Sequence, residues 1–269
     1  MQSTNNSDNT INDSKYEFSK IIQNFHKIDI KEIEPTTQDI NENIYESLSP
    51  VINELVDLYF EAANKGKEEI VRKQQILDYI NNYEISSQEI YKWLLNTPNN
   101  SNSIFLLGYF NFYGIGTSIN KQKAFELYKK AVKLENMTAQ LVLADIYIHG
   151  KGLMKDCDKA FKLTKKLAEK EHLAGINMLG YCYGCGVGTN VNMIKAFGLY
   201  KKAADLGNSI AQYNIALLYE HGKGVEQDEG QAIYWYKKSA EQGYQYSQKK
   251  LEILLNISAD QKSLHKFIH

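Results

Sequence analysis

Gly114-Ile115-Gly116, Gly150-Lys151-Gly152, Gly186-Val187-Gly188 and Gly222-Lys223-Gly224 begin at 114, 150, 186 and 222, a constant interval of 36 residues. A fixed interval of this size marks a repeat array, because a unit too small to bury its own apolar face must stack on copies of itself. The columns around each tripeptide describe two helices and the loop between them. Upstream stand small residues at Ser103, Ala139, Gly175 and Ala211, then aliphatic ones four places later at Leu107, Leu143, Leu179 and Ile215. A second small column follows at once: Gly108, Ala144, Gly180 and Ala216. Such a face lets neighbouring helix backbones approach closely.

Downstream, Asn120, Asp156, Asn192 and Asp228 place one N-cap-competent side chain per unit in the same column. Their oxygens can accept bonds from the unpaired amides of a helix start. The core side of this second helix is Ala124, Ala160, Ala196 and Ala232, with Leu127, Leu163, Leu199 and Trp235 three places on. Gly207 and Gly243 suit left-handed exits from the last two units. Glu135 and Glu171 hold that column in the first two units, so their exits are expected to differ. The eight loop glycines (Gly114, Gly116, Gly150, Gly152, Gly186, Gly188, Gly222 and Gly224) are read as structural turns, since glycine adopts positive φ without steric cost. None of the four tripeptides has the third glycine or the Gly-Lys-Ser/Thr ending of a nucleotide loop.

Outside the array, residues 1–45 are rich in Asn, Ser, Asp and Thr and read as a disordered polar tail. Residues 46–100 carry three helical patterns (Val51, Leu55, Leu58, Tyr59 and Ala62; Ile70, Ile76, Leu77 and Ile80; Ile90, Trp93 and Leu94) and read as a helical cap. The array occupies 101–256, its last segment repeating the first-helix pattern at Ser247 and Leu251 as a second cap, and 257–269 form a tail. The fold class is therefore all-α, a solenoid of four helix-turn-helix repeats capped by helices at both ends.

The columns, small-xxx-Leu-small-xx-Tyr-xx-Gly-x-Gly, an N-cap residue, then Lys-Ala and a Tyr-Lys-Lys-x-Ala run, resemble the Sel-one-like repeat family, relatives of the tetratricopeptide repeats. Asp228, Gln231-Ala232 and Trp235-Tyr236-Lys237-Lys238-Ser239-Ala240 lie close to that consensus, whereas Thr164 departs from the column of Tyr128, Tyr200 and Tyr236. The resemblance implies a right-handed superhelix whose members act as adaptors in signalling or quality-control complexes, without catalytic residues. Arg72-Lys73-Gln74-Gln75-Ile76-Leu77 through Trp93-Leu94-Leu95 also looks like the linker between a protein kinase and such repeats in some fungal proteins. No His-Arg-Asp, Asp-Phe-Gly or strand-borne Gly-rich loop occurs, so a kinase would act in trans.

With 31 basic and 32 acidic residues the chain is near neutral, which argues against nucleic acid or an anionic membrane as partner. It has no signal-like run and no apolar stretch of about 18 residues, so a cytosolic or nuclear protein is expected. Three cysteines fit a reducing compartment. Cys182 and Cys185 form one Cys-x-x-Cys without zinc-binding companions, and both read as packing or loop-edge residues. The column of His149, Cys185 and His221 spans units standing roughly 10 Å apart, too far to share an ion. No cofactor is expected. Paired lysines at 129–130, 165–166, 201–202 and 237–238 read as a solvated outer ladder, with an anionic partner as the alternative.

Columns that vary between units are the candidate ligand face. Phe105, Tyr109, Asp145, Asn177, Tyr181, Tyr213 and Leu217 fall on the first helices, which line the concave side in the related family. They are assigned to a groove for a partner peptide or helix. The expected function is a non-catalytic protein scaffold or adaptor in signalling. The alternatives are a docking module for a kinase in trans and a cysteine-dependent enzyme or metal protein.

Overall fold

The computed structural model describes residues 37–83, 85–97 and 100–254, and the side chains from Leu48 onward. Among these residues every regular element is a helix. Helices α1 (Thr37–Asn64), α2 (Glu69–Asn82) and α3 (Ser87–Asn96) precede the array. Four helix pairs follow: α4 (Ser101–Tyr113) with α5 (Lys121–Lys133), α6 (Met137–His149) with α7 (Cys157–Glu169), α8 (Leu173–Cys185) with α9 (Met193–Asp205), and α10 (Ser209–His221) with α11 (Glu229–Glu241). A further helical segment over 245–254 closes the array. The reading of 1–36 as a tail, and of 257–269 as another, lies outside the described residues.

Each second helix starts where its capping side chain predicts. Asn120, Asp156, Asn192 and Asp228 accept from the amides of Lys123, Lys159, Lys195 and Gln231. The backbone amide of each cap donates to the carbonyl of Asn111, Tyr147, Tyr183 or Tyr219, which ties the loop to the first helix of its own unit. The first helices have caps the sequence columns left unread: Asn100, Asn136 and Asn208 each accept from the third residue on, while His172 makes no such bond.

The spacing between units rests on the second glycine of the loop. A Cβ at Gly116, Gly188 or Gly224 would stand 2.3, 2.3 or 2.4 Å from the carbonyl oxygen of Ser87, Cys157 or Met193. Those three are the opening residues of α3, α7 and α9, so the loop of one unit presses on the start of the second helix before it. Ser87 gives α3 the same place ahead of unit one, which makes it a non-repeat stand-in for a second helix. Aromatic pairs bind the same neighbours. Phe125, Phe161 and Phe197 meet Tyr147, Tyr183 and Tyr219 of the next unit edge to face, at 5.8, 5.5 and 5.4 Å between ring centres, a geometry favoured by the ring quadrupole.

Two expectations are corrected. The exits of units one and two do not differ from the rest: Glu135 and Glu171 have φ of 60° and 61°, and Gly207 and Gly243 have 93° and 87°. Packing of the following helix dictates the left-handed turn, and the glutamates are held by the lysine ladder of the next unit, Lys166 on Glu135 and Lys202 on Glu171, each at 2.8 Å. The second correction concerns the boundary at 45, because α1 begins at Thr37 and runs on through Pro50.

Close approach and backbone conformation can be separated by substitution. At Gly207 an added Cβ meets nothing within 4 Å, so Gly207→Ala should cost about 1 kcal/mol, from positive φ alone. Gly188→Ala adds a backbone clash and should cost about 2–4 kcal/mol. Chemical denaturation of the two variants measures this; equal losses would show that the carbonyl contact does not set the spacing.

Candidate functional site

The first helices face a common side, and the chain covers much of that side with its own N-terminal region. Helix α1 packs on α4, α6 and α8 in turn. Its apolar stripe, Leu48, Val51, Ile52, Leu55, Val56, Tyr59 and Ala63, is buried in one core with units one and two. Tyr59 lies against Phe105 at 5.6 Å and Tyr109 at 5.4 Å. Phe60 meets His172 edge to face. Beyond α1, the amide of Asn208 donates to the Asn64 carbonyl at 2.8 Å, and Ser209 donates from backbone and hydroxyl to Lys65 and Gly66. The segment thus reaches unit four.

This placement corrects part of the groove assignment. Phe105 and Tyr109 are 0% and 1% exposed, and burial drives the Tyr109 phenol far above its usual pKa. They are core residues beneath α1 and cannot touch a partner in this arrangement. Asn177 is 8% exposed and bonds Asn214 in the next unit at 2.9 Å. Asp145, Tyr181, Tyr213 and Leu217 are half-buried at the edge of the covered region or past it. Tyr213 sits in a tyrosine cluster with Tyr236, Tyr244 and Tyr246.

Where α1 ends, two concavities open between the N-terminal helices and the array. The first, of about 290 Å³, is walled by Tyr59 and Ala63 of α1, Arg72 of α2, and Leu141, Asp145, Asn177, Tyr181 and Asn214 of the first helices. The second, of about 680 Å³, continues from Arg72 and Asp145 to Ile70, Ile210, Tyr244 and Tyr246. Ile70 and Tyr246 on its rim are 73% and 58% exposed. A charged cluster ties the rim together. Lys151 pairs with Glu69 and, at 2.5 Å, with Asp145, while Tyr113 donates to Glu69 at 2.5 Å. Burial works against the Glu69 carboxylate, but the bonds from Lys151 and Tyr113 outweigh it and hold its pKa below the ordinary value. Burial also works against the Lys151 ammonium, and Asp145 and Glu69 reverse the effect and raise it.

Sequence reading passed over Glu69, Arg72, Lys151 and Asn214 as site residues. Only Arg72 carried a signal: it is the one arginine of the chain. Cys182 is buried beside Thr164, the residue that breaks the tyrosine column, and burial pushes its thiol pKa up, away from nucleophilic character. Cys185 is exposed at the end of α8. Among the described residues no three His, Cys, Asp or Glu side chains converge on one point, and no helix is long and apolar enough to cross a membrane. On the outer ladder Lys129, Lys166, Lys201 and Lys202 lie against Glu126, Glu135, Asp205 and Glu171.

The Sel1 repeat model matches residues 101–136, 138–172, 173–208 and 209–244, together slightly more than half of the chain. Among solved structures, a Sel1 repeat protein from Oxalobacter formigenes is 28% identical with a TM-score of 0.56, over 65% of this chain and 71% of that one. A protective antigen of uropathogenic Escherichia coli displaying an SLR fold, c5321, has a TM-score of 0.55 at 21% identity, a likeness of fold alone. The alignment takes in 83% of this chain and about half, 51%, of that one. No protein of curated function matches the chain.

Two outcomes follow from the geometry. Tyr109→Ala should lose about 3–5 kcal/mol, the cost of emptying a buried aromatic site. Tyr109→Phe should be neutral or stabilising, because the phenol oxygen is buried without a hydrogen-bond partner. Denaturant midpoints compare the two, and a harmless Tyr109→Ala would return this residue to the surface. For Glu69, the depressed native pKa means its stabilisation is full above the ordinary value of 4.5 and is lost as pH falls through the native value. Glu69→Gln should therefore be less stable than the parent near pH 7 (about neutral), and the gap should close in acid. A gap independent of pH would remove the carboxylate from the docking of α2.

Proposed function

This chain belongs to the Sel1 repeat family, and on that premise we propose that it is a non-catalytic scaffold that binds a partner polypeptide on its concave side. The observation that carries the proposal is α1. Its apolar stripe lies across three first helices and the helix stops at Asn64, an intramolecular packing that supports reading this side as one suited to an elongated segment with one apolar face. Past that stop the same side continues with Tyr181, Tyr213, Leu217 and the two concavities. A partner there meets tyrosines and Arg72 beside aliphatic groups and amides, and tyrosine and arginine are among the residues enriched at the energetic centres of protein interfaces. Five of the eight outer lysines, Lys129, Lys165, Lys166, Lys201 and Lys202, lie within ion-pair distance of the chain's own glutamates and aspartates, which favours a solvated outer face over an anionic partner there.

The test is affinity capture from native extract by the full chain and by a Tyr181→Ala, Leu217→Ala variant, with Lys165→Glu, Lys237→Glu as a surface control. A partner retained by the parent and the lysine variant but lost from the first variant, itself still melting cooperatively, supports the proposal. Capture that persists in the first variant, or fails only in the lysine variant, would place binding elsewhere.

A further inference from the structure

The chain spends one arginine against thirty lysines, and that arginine lines both concavities. Its surroundings are unusual for a cation. Nη1 donates to the Lys67 carbonyl at 2.6 Å, and the guanidinium stands 5.1 Å from the centre of the Tyr59 ring. Nε is buried without a hydrogen-bond partner. Among the described residues no carboxylate lies within ion-pair distance of Arg72: Glu69 and Asp145 both pair with Lys151 and favour the guanidinium charge only from farther off, so its N–H groups receive no carboxylate oxygen. Buried cations are normally matched by an anion and their N–H groups by acceptors.

The rest of the smaller concavity narrows the missing partner. Its walls include Ala63, Val142, Ala174 and Met178, an apolar surface next to the guanidinium. Asn177 and Asn214, joined side chain to side chain, keep an amide N–H on the first and a carbonyl on the second, a donor and an acceptor that match one peptide unit. An anion, an apolar group and a peptide unit within about 290 Å³ are the three parts of one terminal residue. From these contacts we infer that the concavity takes the C-terminal residue of the partner polypeptide, its α-carboxylate on Arg72 and its aliphatic side chain against Val142 and Met178. The guanidinium alone would accept a carboxylate or a phosphate, and the apolar wall in the same space favours the carboxylate, because an α-carboxylate brings an aliphatic side chain on the adjoining carbon. An internal Asp or Glu would bring the charge but leave the apolar wall facing nothing. This inference rests on the scaffold reading and adds the chemistry of what is bound.

The experiment uses the full chain and two pools of fluorescein-labelled octapeptides, random in sequence but ending in leucine, one as free acids and one as C-terminal amides. Retention of the acid pool should exceed that of the amide pool by about tenfold, the worth of a charge-assisted bond. Arg72→Gln should bring the acids down to the amide level. The comparison of pools on the unaltered chain holds even if Arg72→Gln fails to fold. Equal retention of both pools overturns the inference and leaves a peptide-binding scaffold standing. Retention of neither pool overturns it as well, and the scaffold reading is then decided by the Tyr181, Leu217 capture alone. An acid preference that survives Arg72→Gln removes the arginine from the site.

Discussion

A helix pair of 36 residues has too little volume to enclose a core, so everything in this protein depends on how closely one pair can approach the next. That distance is set at a backbone contact. The second loop glycine lies against the carbonyl of the opening residue of an earlier helix, at Gly116 on Ser87, Gly188 on Cys157 and Gly224 on Met193. With the loops seated there, the Phe of one unit reaches the Tyr of the next, and Gly108 and Gly180 leave room for the rings of Tyr128 and Tyr200. Gly152 is the exception, meeting only the flexible end of Lys121. The loop of unit two carries Lys151, which pairs with Asp145 of its own unit and with Glu69 of the N-terminal region.

Stacking at a fixed spacing leaves the first helices side by side, and an apolar row of that kind must be covered or used. Helix α1 covers it through units one to three. The result is a single core from Leu48 to Cys182 that includes the N-terminal helix and the first two units, and a second one from Ile176 to Tyr236 in the last two. Tyr181 packs on both. The residues that hold α1 and α2 in place are polar at their ends: Asn64 and Gly66 on unit four, Glu69 on Lys151 and Tyr113, Lys67 on Gln242. These bonds place Arg72 over the side formed by the first helices, where it lines both concavities.

The four repeats, their loops, their second-helix caps and the lysine ladder were legible in the sequence, because each depends on contacts that recur every 36 residues and so leave a column. The caps at Asn120, Asp156, Asn192 and Asp228 are a local matter of one side chain and the amide three residues on. Local chemistry misled at Glu135 and Glu171, where the packing of the next helix overrides the preference of glutamate against positive φ. The side formed by the first helices was legible only in outline. Variation among Phe105, Tyr109, Asp145 and Tyr181 signals a surface freed from the repeat, but a surface covered by the chain's own helix varies for the same reason as one that meets a partner. That Arg72 has no ion pair of its own, while Lys151, 79 positions along, pairs with both Glu69 and Asp145, is a matter of long-range placement. Periodicity and capping chemistry, being local or repeated, are written in the sequence; the path of α1, the burial of Phe105 and Tyr109 and the unmatched guanidinium arise from single long-range contacts, which only the folded chain decides.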